Sequence, residues 1–338
     1  MKKENIYKIL LIGLFALISV AVPVATIISS ADLPENAFSE NENRYLEKMP
    51  EFNFDTVTDK SFMTKFENFF SDRIVLREQW IGLMNDFDRI LGKKEIKGIF
   101  TEDGRMMQSW RTSDYSVDSV NKNLAAMEKF AEKYPKMKMY FMLAPNAQEI
   151  YSDTLPANCG AADQKLFIKN CYDSLPSITG IDVYSGLLAA KNEYIYYRTD
   201  HHWTSYGAYI GYKSAASAMK FTAYSEDKFS IEHASNEFRG TLYSKTLDNG
   251  ITPDTIDIYT LANNEPQVKV SVYKSGSKPD STYSSLYFRE FLNVKDKYST
   301  FLGQNVPRID IDSEIPQEND KGSLLIIKDS YAHSLIPF

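Results

Sequence analysis

The apolar positions change their spacing several times along the chain, and each change marks an element. Ile9 to Ile28 is one apolar run, broken only by Gly13, Ser19, Pro23 and Thr26. At roughly 20 residues it is long enough to cross a bilayer as a helix. Lys2, Lys3 and Lys8 precede it, and basic flanks stay on the cytoplasmic side. A cleaved signal peptide has a shorter apolar core, about 7–15 residues. The run therefore reads as a retained anchor. Cleavage after Ala31, where Ser29 and Ala31 supply small residues, is the alternative. Either way the body of the protein is expected outside the cytoplasm. Asp32 to Pro50 is polar, is punctuated by Pro34 and Pro50, and reads as a tether.

From Ser61 to Leu91, Phe62, Phe66, Phe69, Phe70, Ile74, Trp80, Leu83 and Phe87 recur at mostly helical spacing. That spacing predicts helices covering a core. Ile96 to Arg105 predicts a hairpin that turns at Asp103-Gly104, a dipeptide suited to two successive left-handed residues. Beyond Ser116 the pattern becomes α/β. Val117, Val120, Leu124, Met127, Ala131 and Tyr134 form one helical stripe, which must stop before Pro135. Met137 to Leu143 predicts a strand, and Ala144-Pro145-Asn146 a loop at its C-terminal end, where open α/β sheets place ligand sites. A helix is expected at about Asp163–Tyr172, strands near Ile181–Tyr184 and at Ile195–Tyr197, and a helix at Thr204–Lys220.

Past Lys220 the segments Phe229–Ile231, Thr255–Tyr259, Val268–Tyr273 and Tyr298–Leu302 alternate with Gly, Pro, Asn and Asp. They read as a β-rich insertion. Leu324 to Ile327 then predicts a buried strand ending at Lys328-Asp329-Ser330-Tyr331. The fold class expected is α/β, with a parallel sheet flanked by helices. The domain plan is an anchor or signal segment (1–31), a tether with helices and a hairpin (32–115), and a catalytic domain (116–338) carrying the insertion at about 225–310. Tyr331 to Phe338 would make only about two helical turns, too few to stand without tertiary contacts. The fold is therefore expected to continue past Phe338, leaving an open sheet edge or apolar patch beside Leu324–Ile327.

Composition adds class. The chain is 43% hydrophobic and 25% charged, with net charge −7. That is a globular balance, and its acidity argues against nucleic acid as a partner. Aromatics reach 13%, with 22 Tyr; they serve to fill cores and interfaces, with carbohydrate stacking as the alternative. Cys159 and Cys171 would meet a disulfide-permitting compartment, but a helix between them would hold them too far apart to bond.

The candidate chemistry gathers at Thr199-Asp200-His201-His202-Trp203-Thr204, which holds two of the four histidines. In an extended segment Asp200 and His202 share one face and His201 takes the other. A carboxylate beside an imidazole fixes its tautomer and supports its protonated form, as a general base requires. A base needs a nucleophile, and Ser330 follows an apolar run at a turn, where a nucleophile elbow presents its hydroxyl. The competing reading is that Asp329 or Ser330 merely caps a last helix. Ser330, His202 and Asp200 are thus the expected nucleophile, base and orienter. Oxyanion candidates are the backbone N–H of Ser330 or Tyr331 and the Asn146 side chain, with Asn305 as a further one; Asn146 also reads as a simple turn residue. Two rivals stand: a metal site built on Asp200, His201 and His202 with His233 joining, and a non-catalytic glycan binder on the same scaffold. No cofactor or metal is expected.

These residues carry a resemblance. Thr199-Asp200-His201-His202-Trp203-Thr204 resembles the signature of the bacterial DHHW protein family. Similar stretches include Glu42-Asn43-Arg44 with Leu46 and Pro50, Phe238-Arg239-Gly240-Thr241-Leu242-Tyr243-Ser244-Lys245, Phe301-Leu302-Gly303-Gln304-Asn305 and Ile327-Lys328-Asp329-Ser330-Tyr331-Ala332. The resemblance covers nearly everything after the apolar run. More distantly the chain is similar to the SGNH-hydrolase-like domain of the alginate O-acetyltransferases AlgX and AlgJ, in which the order of the catalytic segments is circularly permuted. That resemblance implies a permuted SGNH-like fold, the triad Asp200, His202 and Ser330, and Trp203 as a structural neighbour; His201, expected to point away from Ser330, and Trp203 are kept with the further oxyanion or substrate candidates. It implies transfer or removal of an O-acyl group, foremost acetyl, on a cell-surface polysaccharide. A membrane-bound O-acyltransferase as acetyl donor is implied by the same resemblance. Two positions depart from the wider pattern: Lys328 replaces a glycine, and His333 an asparagine.

Overall fold

The computed structural model describes residues 3–31, 33–263, 266–314 and 322–338. The chain divides into two compact units, Met1–Lys93 with Thr246–Asp248, and Lys94–Lys245 with Asn249–Phe338.

In the first unit a helix runs from Lys3 to Ser30. Its stretch Ile6–Ser30 is long and apolar enough to cross a membrane, by length and composition. The stretch expected to be a tether is bonded to the helix that follows it. Arg44 donates to both carboxylate oxygens of Asp72, at 2.9 and 2.5 Å, the Glu47 N–H donates to the same side chain, and Arg73 reaches back to the Glu47 carbonyl. A planar guanidinium gripping a carboxylate with two bonds resists rotation, so this part of the chain is held against the helix Ser61–Arg73. The helix Arg77–Ile90 follows. The expectation that these helices cover a core holds only in part: Trp80, Leu83 and Phe87 are exposed. The buried position on the second helix is polar, with Asn85 donating to the Thr246 carbonyl.

In the second unit the predicted hairpin forms from strands Ile99–Glu102 and Arg105–Gln108. Asp103 and Gly104 both take positive φ, 48° and 70°, the geometry that a two-residue hairpin turn demands. The helix Val117–Lys133 starts on a Ser116 cap and stops before Pro135, as the stripe and the proline dictate. The helix Gln164–Asp173 is capped by Asp163. Strands Tyr140–Met142 and Thr179–Ile181 pair in parallel. Phe229–Phe238 pairs antiparallel with Asp254–Leu261 through a bulged register. Val268–Tyr273 lies between Ser281–Tyr283 and Arg308–Ser313.

The architecture is therefore mixed α/β, but the parallel sheet among the described residues has two strands. Two expected members are not in it. Ile195–Tyr197 makes only an isolated bridge, Tyr196 to Trp203, because the chain doubles back at once into a tight loop. Leu324–Ile327 is irregular extended chain with Leu325 83% and Ile327 93% exposed. A run of apolar residues makes a strand only when a neighbour accepts its backbone bonds, and among the described residues no ladder reaches this one. Ile181–Tyr184 is cut short, since Tyr184 opens the helix Tyr184–Ala189. Tyr298–Leu302 is also not a strand: Lys297–Thr300 is a 3-10 turn, followed by a single bridge at Phe301. Cys159 and Cys171 are free thiols. Phe338, expected at a ragged end, packs among Tyr209, Tyr212, Phe229 and Tyr259.

Two apolar clusters meet around residues 196–203. Tyr196 and Trp203 belong to one, with Phe100, Ile150, Leu187 and Ile195. Tyr197 belongs to the other, with Phe238, Ile256, Tyr298 and Phe301. Fully burying side chains of this size contributes about 1.5–3 kcal/mol each, so the loop that they bracket is pinned from both ends.

Candidate active site

The loop between Tyr196 and Trp203 is closed by the Tyr197 N–H donating to the His202 carbonyl at 3.3 Å. Much of its polar backbone has partners elsewhere in the fold. The Arg198 and Thr199 N–H groups donate to Asp254 at 2.6 and 2.8 Å, and the Thr199 hydroxyl bonds the same carboxylate. The Thr199 carbonyl accepts from Leu242 and Tyr243, and the Arg198 carbonyl from Met106. Burial pushes the Asp254 carboxyl above its usual range, and these donors offset part of the cost. Downstream, Thr204 caps the helix Ser205–Met219 by accepting from the Gly207 N–H at 3.2 Å.

Inside this frame His202 Nδ1 lies 2.6 Å from Asp200 Oδ1, and His202 Nε2 lies 3.1 Å from Ser330 Oγ. The His202 N–H also donates to Asp200 Oδ1, at 3.0 Å. The other carboxylate oxygen accepts from the Thr241 N–H at 2.7 Å and its hydroxyl at 2.9 Å. Burial alone would raise the Asp200 pKa. The His202 imidazole and the Thr241 donor outweigh it and hold the carboxyl well below the usual carboxylate range. Asp200 is therefore ionised whenever the fold is intact at ordinary pH. An imidazole between a fixed carboxylate and a hydroxyl can take the hydroxyl proton.

His202 is also fixed in plane. Its ring stacks on Tyr298 with centroids 3.8 Å apart and planes 7° apart. The Tyr298 hydroxyl donates to the Ser330 carbonyl at 3.0 Å and the Tyr331 carbonyl at 3.2 Å. One side chain thus touches both the imidazole and the backbone that carries Ser330. Trp203 is buried and donates from Nε1 to Ser334 Oγ at 3.0 Å. Tyr331 packs on Trp203 and near His202. Ser330 itself starts a 3-10 turn that Asp329 caps.

A family model described as DHHW protein matches residues 28–338. The chain belongs to the DHHW family. No curated protein matches it. Among solved structures, a DHHW-family protein from Eubacterium siraeum DSM 15702 is similar at 25% identity and TM-score 0.61, over 72% of this chain and 79% of that one. Bacillus cereus PatB1, solved with a sulfonyl adduct, is similar at 18% identity and TM-score 0.57, over 71% and 81%. The O-acetyltransferase domain of Pseudomonas putida AlgJ matches at 16% identity and TM-score 0.40, over 49% and 66%.

The remaining candidates of this DHHW protein fall in different places. His201 does not turn away as strand alternation requires, because the segment is a bend. Its ring lies against His202, centroids 3.8 Å apart, and its Nδ1 pairs with the Thr241 hydroxyl at 2.7 Å. Burial pushes its pKa down, against the pull of Asp200. Asn146 acts as a turn and cap residue: its side-chain oxygen accepts from Glu149 N–H and from Gln164 Nε2. The Tyr331 N–H is committed to Asp329 at 3.0 Å. Asn305 is exposed and forms no hydrogen bond to the site among the described residues. Lys328 is not among the positive-φ residues, so the glycine it replaces is not needed for backbone reasons here.

Asp200, His201 and His202 do bring ligand atoms within 4.8 Å of one another. Both Asp200 oxygens, both His202 nitrogens and His201 Nδ1 are already taken by one another, by Thr241 and by Ser330. His233 stays outside, exposed and paired with Asp257. The set fits a hydrogen-bonded relay better than a metal.

Sequence reasoning missed Thr241, Tyr298 and Asp254 as parts of the site. A signal existed for Thr241: it lies in the Phe238–Lys245 stretch that carries part of the family resemblance. Tyr298 and Asp254 carry no local signal.

Proposed function

We propose that this protein is an SGNH-like enzyme, on a circularly permuted scaffold, that transfers or removes an O-acyl group through an acyl-serine intermediate. The observation that carries the reading is the continuous chain Asp200–His202–Ser330, with both gaps at hydrogen-bond length and Asp200 ionised. Ser330 Oγ attacks the acyl carbonyl and its proton passes to His202 Nε2. The tetrahedral oxyanion collapses, and the departing alcohol takes that proton. Water or a sugar hydroxyl then attacks the acyl-serine, with His202 as base again. Water makes the reaction an esterase, and a sugar makes it a transferase. The Ser330 N–H is assigned as first oxyanion donor, since the Tyr331 N–H is engaged by Asp329; the Asn146 bonds occupy only its carbonyl oxygen, so its amide N–H2 stays a second candidate.

The acyl group is assigned as acetyl and the acceptor as a cell-surface polysaccharide, on the sequence resemblance to the alginate O-acetyltransferases. A membrane-bound acyl donor follows from the same resemblance. The N-terminal helix is assigned as a retained anchor with the 116–338 domain and its β-rich insertion outside the cytoplasm; its length and composition support this.

The test is hydrolysis of p-nitrophenyl acetate, followed by acetyl transfer to oligosaccharide acceptors. Ser330→Ala and His202→Ala should each lower kcat/KM by at least about 10³-fold. A sulfonyl fluoride should stop turnover and add the mass of its sulfonyl group at Ser330, with loss of fluoride and of the hydroxyl proton. Turnover that survives Ser330→Ala and falls with a chelator would move the assignment to a metal at Asp200 and His202. Glycan binding without turnover would move it to a binding module.

A further inference from the structure

The helix Arg77–Ile90 is amphipathic the wrong way round for a soluble protein. Trp80, Leu83, Met84, Phe87, Ile90 and the following Leu91 recur at three- and four-residue spacing, and all are exposed. Leu83 is 59% and Ile90 81% exposed. The opposite side is the occupied one. A Cβ at Gly82 would sit against the Leu247 carbonyl, Asn85 is buried and donates to the Thr246 carbonyl, and Arg89 pairs with Asp248. These polar ties lock the rotation of the helix, so the apolar stripe cannot roll inward. A stripe of this size on a monomer marks a surface that something apolar covers.

The same unit shows what lies beside it. The Val75 N–H, in the turn that leads into this helix, donates to Thr26 Oγ1 at 3.1 Å, and Thr26 is buried. Thr26 is four residues from the end of the apolar helix Lys3–Ser30. At 1.5 Å per residue, that places it about 6 Å inside the helix end. The start of the second helix is therefore tied to the level where the apolar helix would leave a bilayer. Trp80 sits one turn further on, its indole N–H fixed on the Val75 carbonyl at 3.1 Å. An indole with an apolar body and a satisfied polar edge suits the headgroup boundary. Phe66 and Phe70, on the preceding helix, add exposed apolar surface in the same unit.

We propose that Arg77–Ile90 is an interfacial helix. Its stripe lies in the headgroup and upper acyl layer of the membrane that the Lys3–Ser30 helix crosses, so the protein is held by a span plus a flat helix. Such helices bury their apolar face about 5–10 Å below the headgroups. The occupant is lipid and not a second copy, because the stripe begins at the mouth of the span.

The test uses the full chain in vesicles of phosphatidylcholine and phosphatidylglycerol, with or without lipids brominated close to the headgroup. The Trp80 signal is the difference between wild type and Trp80→Phe. It should be blue-shifted, quenched by the brominated lipid and shielded from acrylamide. Leu83→Glu with Phe87→Glu should reverse both quenching results, while the chain stays in the vesicle fraction and its circular dichroism and ester hydrolysis stay unchanged. Trp80 emission that acrylamide quenches and brominated lipid does not would overturn the proposal. Shielding from both, with cross-linked dimers in the vesicles, would overturn it in favour of a second copy.

Discussion

The loop carrying Asp200 and His202 and the segment carrying Ser330 meet at 3.1 Å, yet they are held in opposite ways. The loop is closed by its own backbone bond, bracketed by two apolar clusters and tied through Asp254 and Thr241. Among the described residues the serine segment shows no such frame on its N-terminal side, where Leu324–Ile327 is exposed and outside any strand. From Ser330 onward it is held by Tyr298, by Ser334 under Trp203 and by Phe338 in its aromatic nest. Order in this candidate site therefore resides in His202 and Asp200. Ser330, the proposed nucleophile, is brought to them by a short turn whose position depends on side chains that follow it.

The largest effect expected from breaking this contrast is at Asp200. Asp200→Asn keeps the shape but reverses the hydrogen bond that sets the His202 tautomer. Ester hydrolysis should fall on the order of 10³–10⁴-fold while thermal unfolding stays cooperative. A loss under tenfold would mean that the carboxylate does not orient the base.

Next comes acid stability, where the two regions should act in different windows. Burial, with Lys328 and His202 nearby, pushes the His333 pKa down to about 4 from 6.5. Between those values the unfolded chain binds a proton that the folded chain refuses, so stability falls as pH drops through that window, by about 3 kcal/mol if the whole shift is expressed. Asp200 has a depressed pKa, so its contribution is present above its ordinary value of 3.8 and is lost below it. In denaturant titrations His333→Gln should flatten the slope between pH 6.5 and 4 and leave the steeper loss below 4. An unchanged slope in the upper window would show that another group titrates there.

Tyr298→Phe is expected to do less. It keeps the stack on His202 and removes the hydroxyl that holds the Ser330 and Tyr331 carbonyls. A lost hydrogen bond of this kind costs about 1–1.5 kcal/mol, so kcat should drop about tenfold, with KM little changed. A change in KM alone would place Tyr298 on the substrate and not behind the serine.

Leu325→Ser should do least, within about 0.5 kcal/mol of wild type by calorimetry, as for a surface position away from any packed feature. A destabilisation well above that would show that Leu324–Ile327 packs in the folded protein, and the contrast between the two regions would fail.

Several parts of this protein were legible residue by residue. The helix Val117–Lys133 follows from its apolar stripe and the proline after it, the helix Ser205–Met219 falls within the expected Thr204–Lys220, and the hairpin at Asp103-Gly104 follows from turn chemistry. These rules act over three or four residues, so a linear reading captures them. The pairing of Asp200 with His202 was legible for the same reason, although a bend and not an alternating strand produces it, which is why His201 was misplaced. The second oxygen of Asp200 meets Thr241 across 41 residues, and Ser330 meets His202 across 128. Tyr298 stacks on that imidazole from an unrelated turn. Such contacts are selected by how loops close and clusters pack, and no local pattern encodes the partner. The stripe on Arg77–Ile90 shows the same division: its period marks an apolar face, but only the polar ties to Thr246 and Asp248 turn that face outward.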